Sequence, residues 1–205
     1  MRGLIRRAAV AAGAAVVVLG LVGGAAASVN AAPAASAGAA AAGWSVTPTP
    51  NPVIPTGQLF WVSCPAANSC MAVGTYTKPS GAGVTLAEQW NGHSWRILRT
   101  PNPAGTAVSG LNGVSCTSAS ACIAVGASNP FWASAKTLAE RWDGTRWTLQ
   151  RTPALRQSTL VGVSCTSASA CTAVGSSRTG ALAERWNGTR WTVQSTPTRR
   201  RAMAS

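Results

Sequence analysis

The residues able to do chemistry in this 205-residue sequence are few, and they recur in step. Six cysteines form three Cys-x5-Cys pairs: Cys64 with Cys70, Cys116 with Cys122, and Cys165 with Cys171. Only four acids are present: Glu88, Glu140 and Glu184, each inside Leu-Ala-Glu-[Gln/Arg]-Trp, and Asp143. His93 is the single histidine, so no Ser-His-Asp set is visible and a histidine-rich metal site is excluded. Zinc bound by thiolates would need four cysteines drawn from different repeats, where a local disulfide is simpler; no metal and no cofactor are expected. A glycosidase needs two carboxyl groups in unlike surroundings across one bond. Three glutamates in one repeated slot read instead as a scaffold device, paired with a cross-strand arginine or a backbone donor. Asp143 replaces Asn91 and Asn187 of the other repeats, which assigns it to a turn. Tyr76 beside surplus arginines invites comparison with sialidase propellers. However, Arg141 with Arg185, and Arg146 with Arg190, repeat in register and read as blade surface. The chain is therefore expected not to be an enzyme, with hydrolysis the minor alternative.

The elements that carry these residues follow from local chemistry. GVSCTSASACIAVG at 113–126 returns as GVSCTSASACTAVG at 162–175, and WVSCPAANSCMAVG at 61–74 is a looser copy. Each unit has room for four short strands, A to D. Strand A ends in Val-Ser-Cys and strand B begins at the second cysteine, around a small polar turn, which reads as a hairpin. Facing Cα atoms at its mouth lie about 4.5–5.5 Å apart, within disulfide range, so the three local cysteine pairs are expected to be bonded. Asn-Gly or Asp-Gly between two β-prone runs marks a second hairpin, C to D. Its strands would set Trp90 against Trp95, Trp142 against Trp147 and Trp186 against Trp191. Thr-Pro then ends strand D, because proline cannot donate to a ladder.

Four antiparallel strands in tandem units, at about 57–103, 107–153 and 158–197, indicate an all-β, β-propeller-like array of three full blades. The segment 43–52 matches a strand D and its linker, an orphan N-terminal strand. The unit resembles tandem-repeat families abundant in secreted actinobacterial proteins, through Ser-Cys-x5-Cys-x-Ala-Val-Gly and Trp-[Asn/Asp]-Gly-x-x-Trp. It is more distantly similar to Asp-box and kelch-type propellers. The resemblance covers about 44–198 and implies blades. Gly144 and Trp147 fit the Asp-box pattern, while Asp143 stands one place late. Since propellers close with at least four blades, three blades leave two open ends. Either the array stays open, or a homodimer meets head to tail and closes a six-bladed ring; the second is preferred.

Outside the repeats, Arg2, Arg6 and Arg7 precede a small-apolar run from Ala8 to Ala27 with Ala-x-Ala sites, which reads as a secretory signal peptide over 1–27. An uncleaved N-terminal anchor is the competing reading. Residues 28–43 are Ala, Ser, Gly and Pro and read as a disordered linker; 199–205 form a basic tail. The mature chain is then expected to be secreted or cell-wall associated, with no stable membrane span, in a compartment that favours disulfides.

The net charge is +13. Removing the three arginines at each end leaves about +7, which favours anionic partners. In an exported chain that means anionic cell-wall polymers or extracellular glycans before nucleic acid. The B-to-C loops and D-to-A linkers vary most among the units and share one side of an up-and-down blade. They carry Tyr76, Lys78, Phe131, Trp132, Lys136, Arg156 and Arg178, the candidate ligand-binding residues. The expected function is a secreted, non-catalytic binding module. The alternative is a self-assembling or protein-binding propeller with no small ligand.

Overall fold

The computed structural model describes residues 46–50, 56–129 and 135–197. The signal peptide and linker, the basic tail, Phe131 and Trp132 lie outside the described residues. So does half of the orphan strand expected at 43–52; its described part, 46–50, has no strand pairing, and Val46 is exposed.

Twelve strands form three four-stranded antiparallel sheets in chain order, and no helix occurs among the described residues. Blade 1 is β1 (Gln58–Ala66), β2 (Ser69–Thr77), β3 (Gly83–Trp90) and β4 (Trp95–Leu98). Blade 2 is β5 (Ser109–Ser118), β6 (Ala121–Ser128), β7 (Lys136–Trp142) and β8 (Trp147–Gln150). Blade 3 is β9 (Thr159–Ser167), β10 (Ala170–Ser177), β11 (Gly180–Trp186) and β12 (Trp191–Gln194). The blades stack face to face, with β1, β5 and β9 as neighbours along the inner side.

Each first hairpin is stapled at its mouth by the expected disulfide, Cys64–Cys70, Cys116–Cys122 and Cys165–Cys171. A bulge in the first strand follows, between Leu111 and Gly113 in blade 2, and the chain bends there. The glycine of Ala-Val-Gly sits opposite that bend: a Cβ at Gly126 would collide with the Gly110 carbonyl, as it would at Gly74 and Gly175 against their own first strands. That contact explains why Ala-Val-Gly returns in every unit.

The second hairpins turn at Gly92, Gly144 and Gly188, all with φ near 95°, a conformation glycine adopts without strain. Asp143 Oδ1 accepts bonds from the Thr145 and Arg146 amides and from the Thr145 hydroxyl. Asn91 and Asn187 hold the same turns. These donors, the Thr145 hydroxyl first, hold the Asp143 carboxyl down at about 2, with Arg146 adding a smaller attraction. The tryptophans at the base of each hairpin are direct partners, their rings 5.7–5.8 Å apart and tilted.

The core lies between blades rather than within one. Met71, Val73 and Ala87 of blade 1 meet Leu111, Val114, Ala124, Leu138 and the Trp142–Trp147 pair of blade 2. Ile123, Val125 and Ala139 of blade 2 meet the same register of residues on blade 3. A blade thus has a receiving face, with the tryptophan pair, and a donating face of smaller residues.

Candidate functional site

Three features of this scaffold could do something: the repeated glutamates, the loop side, and the receiving face of blade 1.

The glutamates correct one expectation. Glu88, Glu140 and Glu184 are buried, but none pairs with an arginine among the described residues. Their cross-strand partners are the aliphatic Ile97, Leu149 and Val193. Arg141 and Arg185 are next in the chain, so the pleat sends them to the opposite face. Both carboxyl oxygens of Glu140 and of Glu184 lack a hydrogen-bond partner. Burial pushes Glu140 up to about 8 and Glu184 to about 7. Across each junction stands a threonine of the preceding blade, Thr85 for Glu140 and Thr137 for Glu184, and each offsets the shift only in part. Thr85 Oγ1 bonds to Thr100 Oγ1 instead, and Thr137 Oγ1 has no partner of its own. Each acid is the single carboxylate at its junction, a poor arrangement for acid–base catalysis by a pair. Among the described residues no cluster of three or more His, Cys, Asp or Glu could hold a metal.

On the loop side, the second-to-third strand loops and the linkers between blades do meet. Asn129 N–H donates to Val108 O, and Ser158 N–H donates to Ala135 O. Two candidate residues are not loop residues, however. Tyr76 pairs with Val84 inside β2, and Lys136 opens β7, paired with Ser128. Lys78 lies in a five-residue turn closed by bonds from Lys78 to Ala82 and from Gly81 to Lys78. Arg178 lies in the turn between Ser177 and Gly180. Of the described candidates, only Lys136 and Arg156 come together. They border one open groove with Ser128, Leu138, Leu149 and Leu155, and no carboxylate lines it. Tyr76, Lys78 and Arg178 lie on the first and third blades, away from that groove.

The receiving face of blade 1 is one of the two open ends expected of a three-blade array, and its residues are not among the candidates named from the sequence. Leu59 and Val62 hold the register of Leu111 and Val114, yet they are 38% and 52% exposed against 0% and 2%. Phe60 and Trp61, at the bulge, are also exposed, and together with Ala72 and Trp95 they border an open apolar groove. Ala72, Leu86 and Glu88, farther out on this face, are buried. The unpartnered strip is therefore the inner strand β1. Its signal was present in LFWV at 59–62, an uninterrupted apolar run where the later units carry LNGV and LVGV.

No family model and no curated protein matches this sequence. Among solved structures, the chain is similar to one titled "YCF48 bound to D1 peptide", over 68% of this chain and 40% of that one, with 16% sequence identity and a TM-score of 0.47.

Proposed function

We propose that the chain is a secreted, non-catalytic interaction module that binds protein through the inner strand of its first blade. The occupant is another β-sheet face of small and aliphatic residues, of the kind that blade 1 itself presents to blade 2. The exposure of Leu59, Phe60, Trp61 and Val62, where blade 2 buries the equivalent leucine and valine, carries this reading. A contiguous apolar strip of this kind marks an interaction surface. Three disulfides among the described residues support an oxidising destination. A photo-crosslinking benzoylphenylalanine in place of Phe60 in the full chain tests it. Illumination should give covalent adducts with polypeptide, and mapping should place the attached peptide in a β-strand. Adducts with carbohydrate alone, or none, overturn the reading.

The loop-side groove favours a second reading. Lys136 and Arg156 face it without a neutralising acid, which suits an anionic cell-wall or extracellular glycan. Binding of polygalacturonate should then weaken with salt, and weaken several-fold more in Lys136→Ala/Arg156→Ala. Binding that ignores both charges removes this reading.

A further inference from the structure

We propose that the occupant of the open strip on blade 1 is the outward face of blade 3 of a second copy, so that two chains close a six-bladed ring. This rests on the protein-binding reading above and names its partner.

The argument is continuity with the two junctions already inside the chain. The receiving face of blade 1 keeps the residues that blade 2 buries against its neighbour. Leu59, Val62 and Ala72 stand where blade 2 has Leu111, Val114 and Ala124. Leu86 and Glu88 stand where it has Leu138 and Glu140, and the tryptophan pair is retained. Nothing in this set has been exchanged for the polar residues that would cap a terminal repeat.

The outward face of blade 3 keeps the matching donor set. Gly162, Ser164, Val174 and Ala183 hold the positions of Gly113, Ser115, Val125 and Ala139, with which blade 2 covers blade 3. Val174 is 50% exposed, whereas Val73 and Val125 at the same position are fully buried. Val161 beside it is exposed too, so both ends of the array present apolar surface. A polar contact runs through the same series. Ser63 Oγ accepts the Cys116 N–H and Ser115 Oγ accepts the Cys165 N–H, each at 3.0 Å. The next members are Ser164 at one end of the array and the Cys64 N–H at the other. A second copy brings them together in the same register.

Three exchanges on the donating face set the strength of the contact. Thr172 replaces Ile123, Ala181 replaces the junction threonine Thr137, and Ser176 replaces the buried Ala127. Thr172 removes apolar area and Ala181 removes a hydroxyl facing the glutamate, so the contact between copies is weaker than the internal ones and concentration-dependent. Because the contact is head to tail, two copies close only if both ends engage.

Sedimentation velocity of the full chain over a dilution series tests this, with Val62→Glu and Val174→Glu as separate variants. Both valines are about half exposed, so either chain should fold, and near-ultraviolet dichroism from the paired tryptophans checks that it does. Wild type should sediment as a dimer that dissociates on dilution, and each variant as a monomer at every concentration. A wild-type chain that is monomeric throughout overturns the proposal. A Val174→Glu chain that still dimerises also overturns it, because the first blades would then be meeting each other. A monomer that still forms protein adducts from position 60 keeps the protein-binding reading and loses only the second copy; a monomer without adducts loses both.

Discussion

Blades 1 and 2 present the same receiving face, yet Leu111 and Val114 sit in a closed junction while Leu59 and Val62 face water. The repeat therefore specifies a surface that needs a neighbour, and the position of the blade in the array decides whether it has one. Stability in such a chain is close to a sum of blades and junctions. The two internal junctions hold Met71, Ile123 and both buried tryptophan pairs, whereas the end face of blade 1 contributes area that only a partner can use. The same contrast extends to the acids. Glu140 and Glu184 are sealed by the blade before them, and their carboxyls are raised to about 8 and about 7. Glu88, with no blade before it among the described residues, is raised by burial to a smaller extent.

The largest expected effect comes from breaking that contrast at Glu140. Below pH 4.5 the carboxyl is protonated in both the folded and the unfolded chain. Between 4.5 and about 8 the unfolded chain has released the proton and the folded chain still holds it. Stability should therefore fall as pH rises through this window and level off above it. At about 1.4 kcal/mol per pH unit, the loss is on the order of 5 kcal/mol. Glu140→Gln imitates the protonated acid. It should match wild type near pH 4.5 and exceed it at pH 8; in urea denaturation it should roughly halve the slope up to about pH 7, where Glu184 still contributes, and remove it between there and pH 8. Glu88→Gln should remove much less. Equal slopes from the two exchanges would mean that the receiving face of blade 1 is sealed as tightly as a closed junction.

What could be read from the sequence divides along the same line. The disulfides, the Asn-Gly and Asp-Gly turns and the Trp90–Trp95, Trp142–Trp147 and Trp186–Trp191 pairs depend on residues a few positions apart. Cys116 and Cys122 are six residues apart, and the turn at Asp143 is satisfied entirely by Thr145 and Arg146. Hairpin chemistry of this kind is written locally, and so were the four-stranded blades built from it. The setting of Glu140 depends on Thr85, more than fifty residues away in another blade, and nothing near Glu140 announces that its oxygens are left without a donor. The ends of β2 and β7 are set by pairing with the neighbouring strand, through Tyr76 with Val84 and Lys136 with Ser128, and a boundary set that way is not written in the residues beside it. Leu59 and Val62 stand where the other units also have Leu and Val, so those two positions give no sign of their exposure; only Phe60 and Trp61 between them, in place of Asn-Gly and Val-Gly, set the first unit apart.

A smaller effect sharpens the comparison side chain by side chain. Val114→Ala removes two methyl groups from a closed junction, and with the residual cavity it should cost about 2 kcal/mol. Val62→Ala removes the same groups from a position 52% exposed, where a surface exchange shifts stability by less than about 0.5 kcal/mol. Both should be measured by urea denaturation in the Val174→Glu background, which keeps the chain monomeric and leaves Val62 facing water. In the wild-type background, Val62→Ala should leave unfolding of the monomer unchanged and shift the dimer towards dissociation. The two costs then separate what a blade gains from its own chain from what it gains from a partner. If Val62→Ala costs as much as Val114→Ala in the monomeric background, the strip on β1 is covered by the chain itself, and the contrast between the two blades disappears in solution.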